Sequence, residues 1–228
     1  MADTTTTPTT RLKNGVDSAA SAVVSFVNAV LNLRQKNAWI YSFMLFSSCV
    51  SLVASFILSR EALLLAEDPY QQLFCDFSAT LSCGAVGRSL QASLFGFPNA
   101  FLGLIAEPVV ITIAVAALTG VRFRRGFMFA AQIIYTVGLV FAYWLFAEAY
   151  FSIGALCPVC LFVTLSTTLV FSTLTHVNIR DNNLYLPKKV SMRLQWACRV
   201  GLDLLIVILL LGTIVSLITV RYGRGFFG

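Results

Sequence analysis

Charge is what this chain has least of. Asp, Glu, Lys and Arg make up 11% of its 228 residues, against 58% hydrophobic. That balance excludes a soluble globular domain and fits a polytopic membrane protein. The sixteen basic residues are dispersed among loops and form no groove-lining stripe, so nucleic acid is excluded as a partner and the net charge of +6 reflects topology. Histidine is reduced to His176 alone, and none of the four methionines falls in the external loops. No metal ligand set is therefore expected, although closely spaced cysteines leave a thiol metal-binding membrane module as the rival, non-enzymatic reading. The first apolar run is not expected to be a cleavable leader, because it lies far from Met1, is too long and lacks a convincing small-residue cleavage site.

Long apolar runs are present instead. A hydrocarbon layer of roughly 30 Å needs about 20 helical residues, and five stretches qualify: Trp39 to Leu58, Ala100 to Thr119, Phe127 to Ala147, Leu156 to Thr175 and Val200 to Val220. Arg11, Lys13, Arg34 and Lys36 precede the first. Arg122, Arg124 and Arg125 separate the second from the third, and Arg180, Lys188, Lys189, Arg193 and Arg199 the fourth from the fifth. Only Arg60, Arg88, Arg221 and Arg224 fall on the other side. Basic residues mark cytoplasmic segments, so the N-terminus is expected inside, the C-terminus outside, and the protein in the cytoplasmic membrane.

The expected organisation is a cytoplasmic tail over 1–36, Thr-rich at first and then an amphipathic helix from Val16 to Leu33; a four-span domain over 37–176; a cytoplasmic loop over 177–199; a fifth span over 200–220; and a short external tail over 221–228. Within the domain, the external loop 59–98 carries Cys75 and Cys83 and then Val86, Leu90 and Leu94 at i, i+4, i+8 spacing. Such spacing predicts a short surface helix with its apolar stripe facing the membrane, a lid.

The cysteines divide four and two. Cys49 and Cys198 fall in a mid-span position and near the cytoplasmic end of the fifth helix, where small hydrophobic packing is the expected role. Cys75, Cys83, Cys157 and Cys160 share the outer side, an oxidising space. Pro158 suits the first position of a helix, which puts Cys157 near the N-cap and Cys160 in the first turn, on one face. Unpaired N–H groups there favour a thiolate and make it a better nucleophile for disulfide exchange. Two structural staples remain the bland alternative, but two pairs on one side, one of them at a helix start within the membrane boundary, favour relay chemistry.

The run from Cys75 through Cys83 to Ser89, the segment GFPNAFLG from Gly96 to Gly103, and CPVC at Cys157 to Cys160 together resemble the vitamin K epoxide reductase family, in particular its bacterial disulfide-forming members, over roughly residues 37 to 176. The resemblance implies an all-α fold, a four-helix transmembrane bundle around a quinone with a fifth helix beside it. By position, Cys160 would meet the quinone and Cys157 exchange with it, Cys83 would shuttle to Cys157, and Cys75 would take electrons from an external thioredoxin-fold oxidase of the DsbA type. Ser89 matches the family serine and Asn99 the asparagine that hydrogen-bonds a quinone carbonyl; a helix-surface role for Ser89 and an N-cap role for Asn99 are the plain alternatives. The quinone type, menaquinone or ubiquinone, is not specified.

Two departures matter. Vertebrate members that reduce vitamin K carry a tyrosine four residues after the second cysteine of the CxxC, where this chain has Thr164. That makes quinone or vitamin K epoxide reduction for its own sake the second enzymatic reading. Many bacterial relatives carry a fused thioredoxin-like domain after the fifth span; here the chain ends eight residues beyond Val220, so a separate partner is expected. Glu107, near the middle of the second span, is expected as a protonated glutamate hydrogen-bonded inside the bundle that compensates for the backbone group freed by Pro108, with proton delivery as its functional alternative.

Overall fold

The computed structural model describes residues 36–222 together with Ser21, Ser25, Ala29 and Asn32. The Thr-rich tail, nearly all of the amphipathic helix expected over Val16 to Leu33, and residues 223–228 lie outside the described residues. Among those described there are five helices long and apolar enough to cross a membrane. These are α1 (Asn37–Glu67), α3 (Ala100–Leu118), α4 (Arg125–Glu148, continued by a π-helical turn, Ala149–Ile153), α5 (Pro158–Arg180) and α7 (Leu202–Tyr222). A short α2 (Cys83–Gly87) and a 3-10 turn (Leu90–Ser93) lie in the loop between α1 and α3, and α6 (Lys188–Val200) precedes α7.

Helix α1 does not stop at Leu58, and the loop expected from residue 59 begins only after Glu67. The extra residues, SREALLLAE, are strong helix formers despite their charge. Ser59 donates to the Ser55 carbonyl at 2.7 Å, and Arg60 pairs with the buried carboxylate of Glu61 at 2.8 Å. Pro69 then forbids continuation, since the residue before a proline avoids the α region and Asp68 is extended. Thirty-one residues rise about 46 Å, more than a hydrocarbon layer requires, so the last turns of α1 form a post that carries the loop clear of the apolar zone.

α1 packs along both α3 and α5, and α5 also packs along α4. The inner face of α1 is built from small residues, with Ser47, Ser48, Ser51, Ser55 and Ser59 all buried, which lets neighbouring backbones approach. The closest approach is at Gly103, where an added Cβ would sit 2.8 Å from the Cβ of Ser55. Two apolar clusters occupy the ends of the bundle, one around Met44, Ile113, Val170 and Leu174, the other around Ala54, Leu65, Cys83 and Cys157. Between them lies a polar layer. Glu107 accepts from Ser51 at 2.8 Å and from Tyr135 at 3.0 Å, while Tyr143 pairs with Thr168 at 2.9 Å.

The segment expected as a cytoplasmic loop over 177–199 is largely helical. α5 runs on to Arg180, a turn with positive φ at Asn182 and Tyr185 follows, and α6 occupies 188–200 with Val190, Met192 and Trp196 exposed. Cys198 therefore belongs to α6 and not to the fifth span, and it is buried. Cys49 points outward and is exposed, so core packing does not describe it. The most apolar stretch of α7 has no buried residue; this helix touches the rest chiefly through α5 and α6.

Candidate active site

The site forms where the loop between α1 and α3 meets the C-terminal end of α1 and the N-terminal end of α5. Its first element is the turn into α5. Gly154 takes a left-handed φ of 72° that ends the π-helical turn, a conformation open to glycine without strain. Cys157 follows as the N-cap, in extended conformation, with Pro158 at the first helical position. The Cys160 N–H donates to Cys157 Sγ at 3.2 Å, so the sulfur takes up one of the N–H groups that a helix start leaves without a partner.

The second element is the loop between α1 and α3, held against that turn by backbone. Leu156 N–H donates to the Thr80 carbonyl and Ser82 N–H to the Leu156 carbonyl, both at 2.9 Å. This bridge sets Ser82, the N-cap of α2, beside the residue preceding Cys157, and brings Cys83 into contact. Cys75 and Cys83 form the one disulfide among the described residues, while Cys157 and Cys160 are thiols. Cys157 Sγ lies 3.3 Å from Cys83 Sγ. All four cysteines selected from the sequence are thus together.

Asp76 is the residue the sequence reading missed. Its carboxylate accepts from Ser82 Oγ at 2.7 Å, from Gly84 N–H at 2.8 Å and from Leu73 N–H at 3.0 Å, clamping the Cys75 and Cys83 strands of the loop to each other. Burial pushes this carboxyl up, but the three donors and the Arg88 charge outweigh it and hold its pKa below the ordinary carboxylate value. Cys157, just ahead of the span, is shifted down by its hydrogen bond with the Cys160 thiol and by backbone N–H groups, against burial and the Asp76 charge. Arg88 reaches back to the Pro69 and Gln71 carbonyls. The only advance signal for Asp76 was its place next to Cys75.

The lid differs from the single amphipathic helix expected. Gly87 ends α2, and Ser89, whose Oγ donates to the Val86 carbonyl at 2.7 Å, starts a separate 3-10 turn. Val86 packs inward while Leu90 and Leu94 are exposed, so the three do not share a stripe. The lid is fastened to α4 by Gln91 on Glu148 at 3.2 Å and by Phe95 against Phe141, ring centroids 5.5 Å apart. Asn99 precedes α3 but makes no capping bond; its Nδ2 donates to the Gln91 carbonyl, and its buried Oδ1 has no partner among the described residues. Ser89 is turned to the backbone, whereas Asn99 keeps an unused acceptor and a second N–H. Those groups suit a ligand with carbonyl and hydroxyl oxygens, the chemistry of a quinone and its reduced form.

A multi-pass membrane protein with a dithiol lying against a disulfide at one end of its bundle belongs to the class of membrane thiol oxidoreductases. The family model that matches is the vitamin K epoxide reductase family, over residues 42–175. This is more than half of the chain, and the protein belongs to that family. Its members are quinone-linked oxidoreductases of the membrane. No curated protein matches the chain.

Proposed function

We propose that the protein makes disulfides outside the cytoplasm, passing electrons from an external thioredoxin-fold oxidase of the DsbA type through its two cysteine pairs to a membrane quinone. The observation that carries this reading is the 3.3 Å separation of Cys83 and Cys157 sulfurs, with one pair oxidised and the other reduced. The pattern matches the state after one internal transfer. Before it, the outer pair is a dithiol and the inner pair a disulfide. Cys83 thiolate attacks Cys157, the Cys157–Cys160 bond breaks, and Cys160 leaves as thiolate. Cys75 thiolate then attacks Cys83 and expels Cys157. Two electrons have moved inward, and each thiolate left on the inner pair is stabilised or protonated locally.

A bound quinone supplies the terminal acceptor for two electrons and two protons. Asn99 would orient it through its second N–H and its unpartnered Oδ1, and Cys160, on the first turn of α5, would be the thiol that meets it. Cys75 is buried and flanked by exposed Phe74 and Phe77, so docking of the outside partner must lift this strand. Beside it is an open groove of about 520 Å³ lined by Tyr70, Phe77, Ser78 and Arg88. The one-sided distribution of basic residues supports an outward-facing site in the cytoplasmic membrane.

Thr164 bears on the alternative of quinone or vitamin K epoxide reduction for its own sake. Its Oγ1 donates to the Cys160 carbonyl at 3.0 Å, so this position offers no O–H donor to a ligand in the way a tyrosine could. The test is a trap: with Cys160→Ser, Cys157 thiolate can still attack Cys83 of the Cys75–Cys83 disulfide and expel Cys75 thiolate, the reverse of the second step, but Cys160 is no longer there to resolve the Cys83–Cys157 disulfide formed, which should become populated and be seen by peptide mass spectrometry. Its absence, with Cys75–Cys83 still intact after exposure to reduced partner, would remove the shuttle.

A further inference from the structure

At the far end of α5, about 27 Å along the helix from the dithiol, three chemically distinct ligands converge from three helices. His176 comes from α5, Cys198 from α6 and Asp203 from the first turn of α7. One donor atom of each lies within 4.8 Å of the others, and His176 Nδ1 is 2.9 Å from Asp203 Oδ2. His176 and Cys198 are 5% and 8% exposed, while the Asp203 side chain is 18% exposed. We propose that these residues form a binding site for a borderline divalent cation of the zinc type, with solvent as the fourth ligand on the Asp203 side.

Donor chemistry selects the ion. An imidazole nitrogen, a thiolate and a carboxylate match zinc, whereas magnesium and calcium avoid sulfur. Zinc bonds of about 2.0–2.3 Å place tetrahedral donors roughly 3.2–3.6 Å apart, so donors within 4.8 Å of one another need to close by at most about 1.6 Å, while the His176–Asp203 pair at 2.9 Å opens slightly. Charge also balances: thiolate and carboxylate together neutralise a dication, which a largely buried site requires. Binding exchanges the Cys198 thiol proton for the metal and releases it to solvent, with no change of oxidation state. The site joins α7 to α5 and α6 at the end where α7 otherwise lacks buried apolar contacts. It stands apart from the relay and from the reading of the outer site.

The test uses the full chain in lipid nanodiscs, carrying Cys157→Ser and Cys160→Ser so that the dithiol cannot compete, and cobalt(II) as the probe. One equivalent should give a thiolate-to-cobalt band in the near ultraviolet and the strong visible bands of tetrahedral cobalt, both discharged by zinc. Cys198→Ser should abolish the near-ultraviolet band; Asp203→Asn should keep it and weaken binding at least tenfold; Cys49→Ser should change nothing. Absence of the band, its survival in Cys198→Ser, or undiminished affinity in Asp203→Asn would overturn the site. If Cys198→Ser fails to fold, the Asp203→Asn and Cys49→Ser titrations decide.

Discussion

Removing the Asp76 carboxylate should release the loop that carries Cys83 while leaving all four cysteines in place. Three donors converge on this group at 2.7–3.0 Å. A hydrogen bond to a charged acceptor contributes about 1.5–3 kcal/mol, but the side chain is only partly buried, water replaces some of what is lost, and bonds to one acceptor do not add. Asp76→Ala should therefore cost about 2–3 kcal/mol locally, roughly a 30- to 150-fold rise in the open population of residues 73–84 at 1.4 kcal/mol per tenfold. Asp76→Asn should cost about 1–2 kcal/mol, because one oxygen can still serve Ser82 and Gly84 while an amide NH₂ faces the Leu73 N–H. Hydrogen–deuterium exchange of the peptides containing Leu73 and Gly84, corrected for intrinsic rates, reads these factors directly. Folding depresses the Asp76 pKa, so its contribution is complete above an ordinary aspartate value of about 4 and is lost as pH falls through the lower folded value. Protection should accordingly be level from pH 7 to 5, decline only under more acidic conditions, and show no such decline in Asp76→Ala. Exchange unchanged within threefold in Asp76→Ala would refute the clamp.

Gly103→Ala should lower thermal stability by about 1–3 kcal/mol, since its Cβ would meet that of Ser55 at 2.8 Å. Gly138→Ala, which meets nothing within 4 Å, should be stabilising by about 0.5–1 kcal/mol; equal melting points for the two variants would contradict the close packing of α1 on α3. Glu107→Leu strands the Ser51 and Tyr135 hydroxyls and should cost about 2–4 kcal/mol, while Glu107→Gln keeps both bonds and should change stability by under about 1 kcal/mol with quinone reduction intact. Loss of quinone reduction in a stable Glu107→Gln protein would instead assign the carboxyl a role in proton transfer.

What could be read from the sequence was what repeats locally or follows from one residue's backbone chemistry. Five apolar runs appear as five helices, and Pro158 at the first position of α5 places Cys157 and Cys160 as expected. The end of α1 is not legible from the apolar run alone, because Arg60 and Glu61 satisfy each other and the helix-forming SREALLLAE carries the helix past it. The lid was misread because spacing alone cannot reveal that Gly87 and Ser89 interrupt it. Glu107 was expected to compensate the backbone freed by Pro108; its partners are side chains on other helices, Ser51 and Tyr135. Asp76 with Gly84, and His176 with Cys198 and Asp203, are likewise pairings made by the packing of separate elements, which no local pattern announces.

The central claim is that the dithiol at the head of α5 hands electrons to a membrane quinone. The most direct measurement is the loss of quinone absorbance catalysed by the purified protein with a dithiol donor, for the natural sequence beside Cys160→Ser. The natural sequence should show a clear rate that disappears in Cys160→Ser. A rate that persists in the variant, or no rate above background in folded protein supplied with quinone, would contradict it.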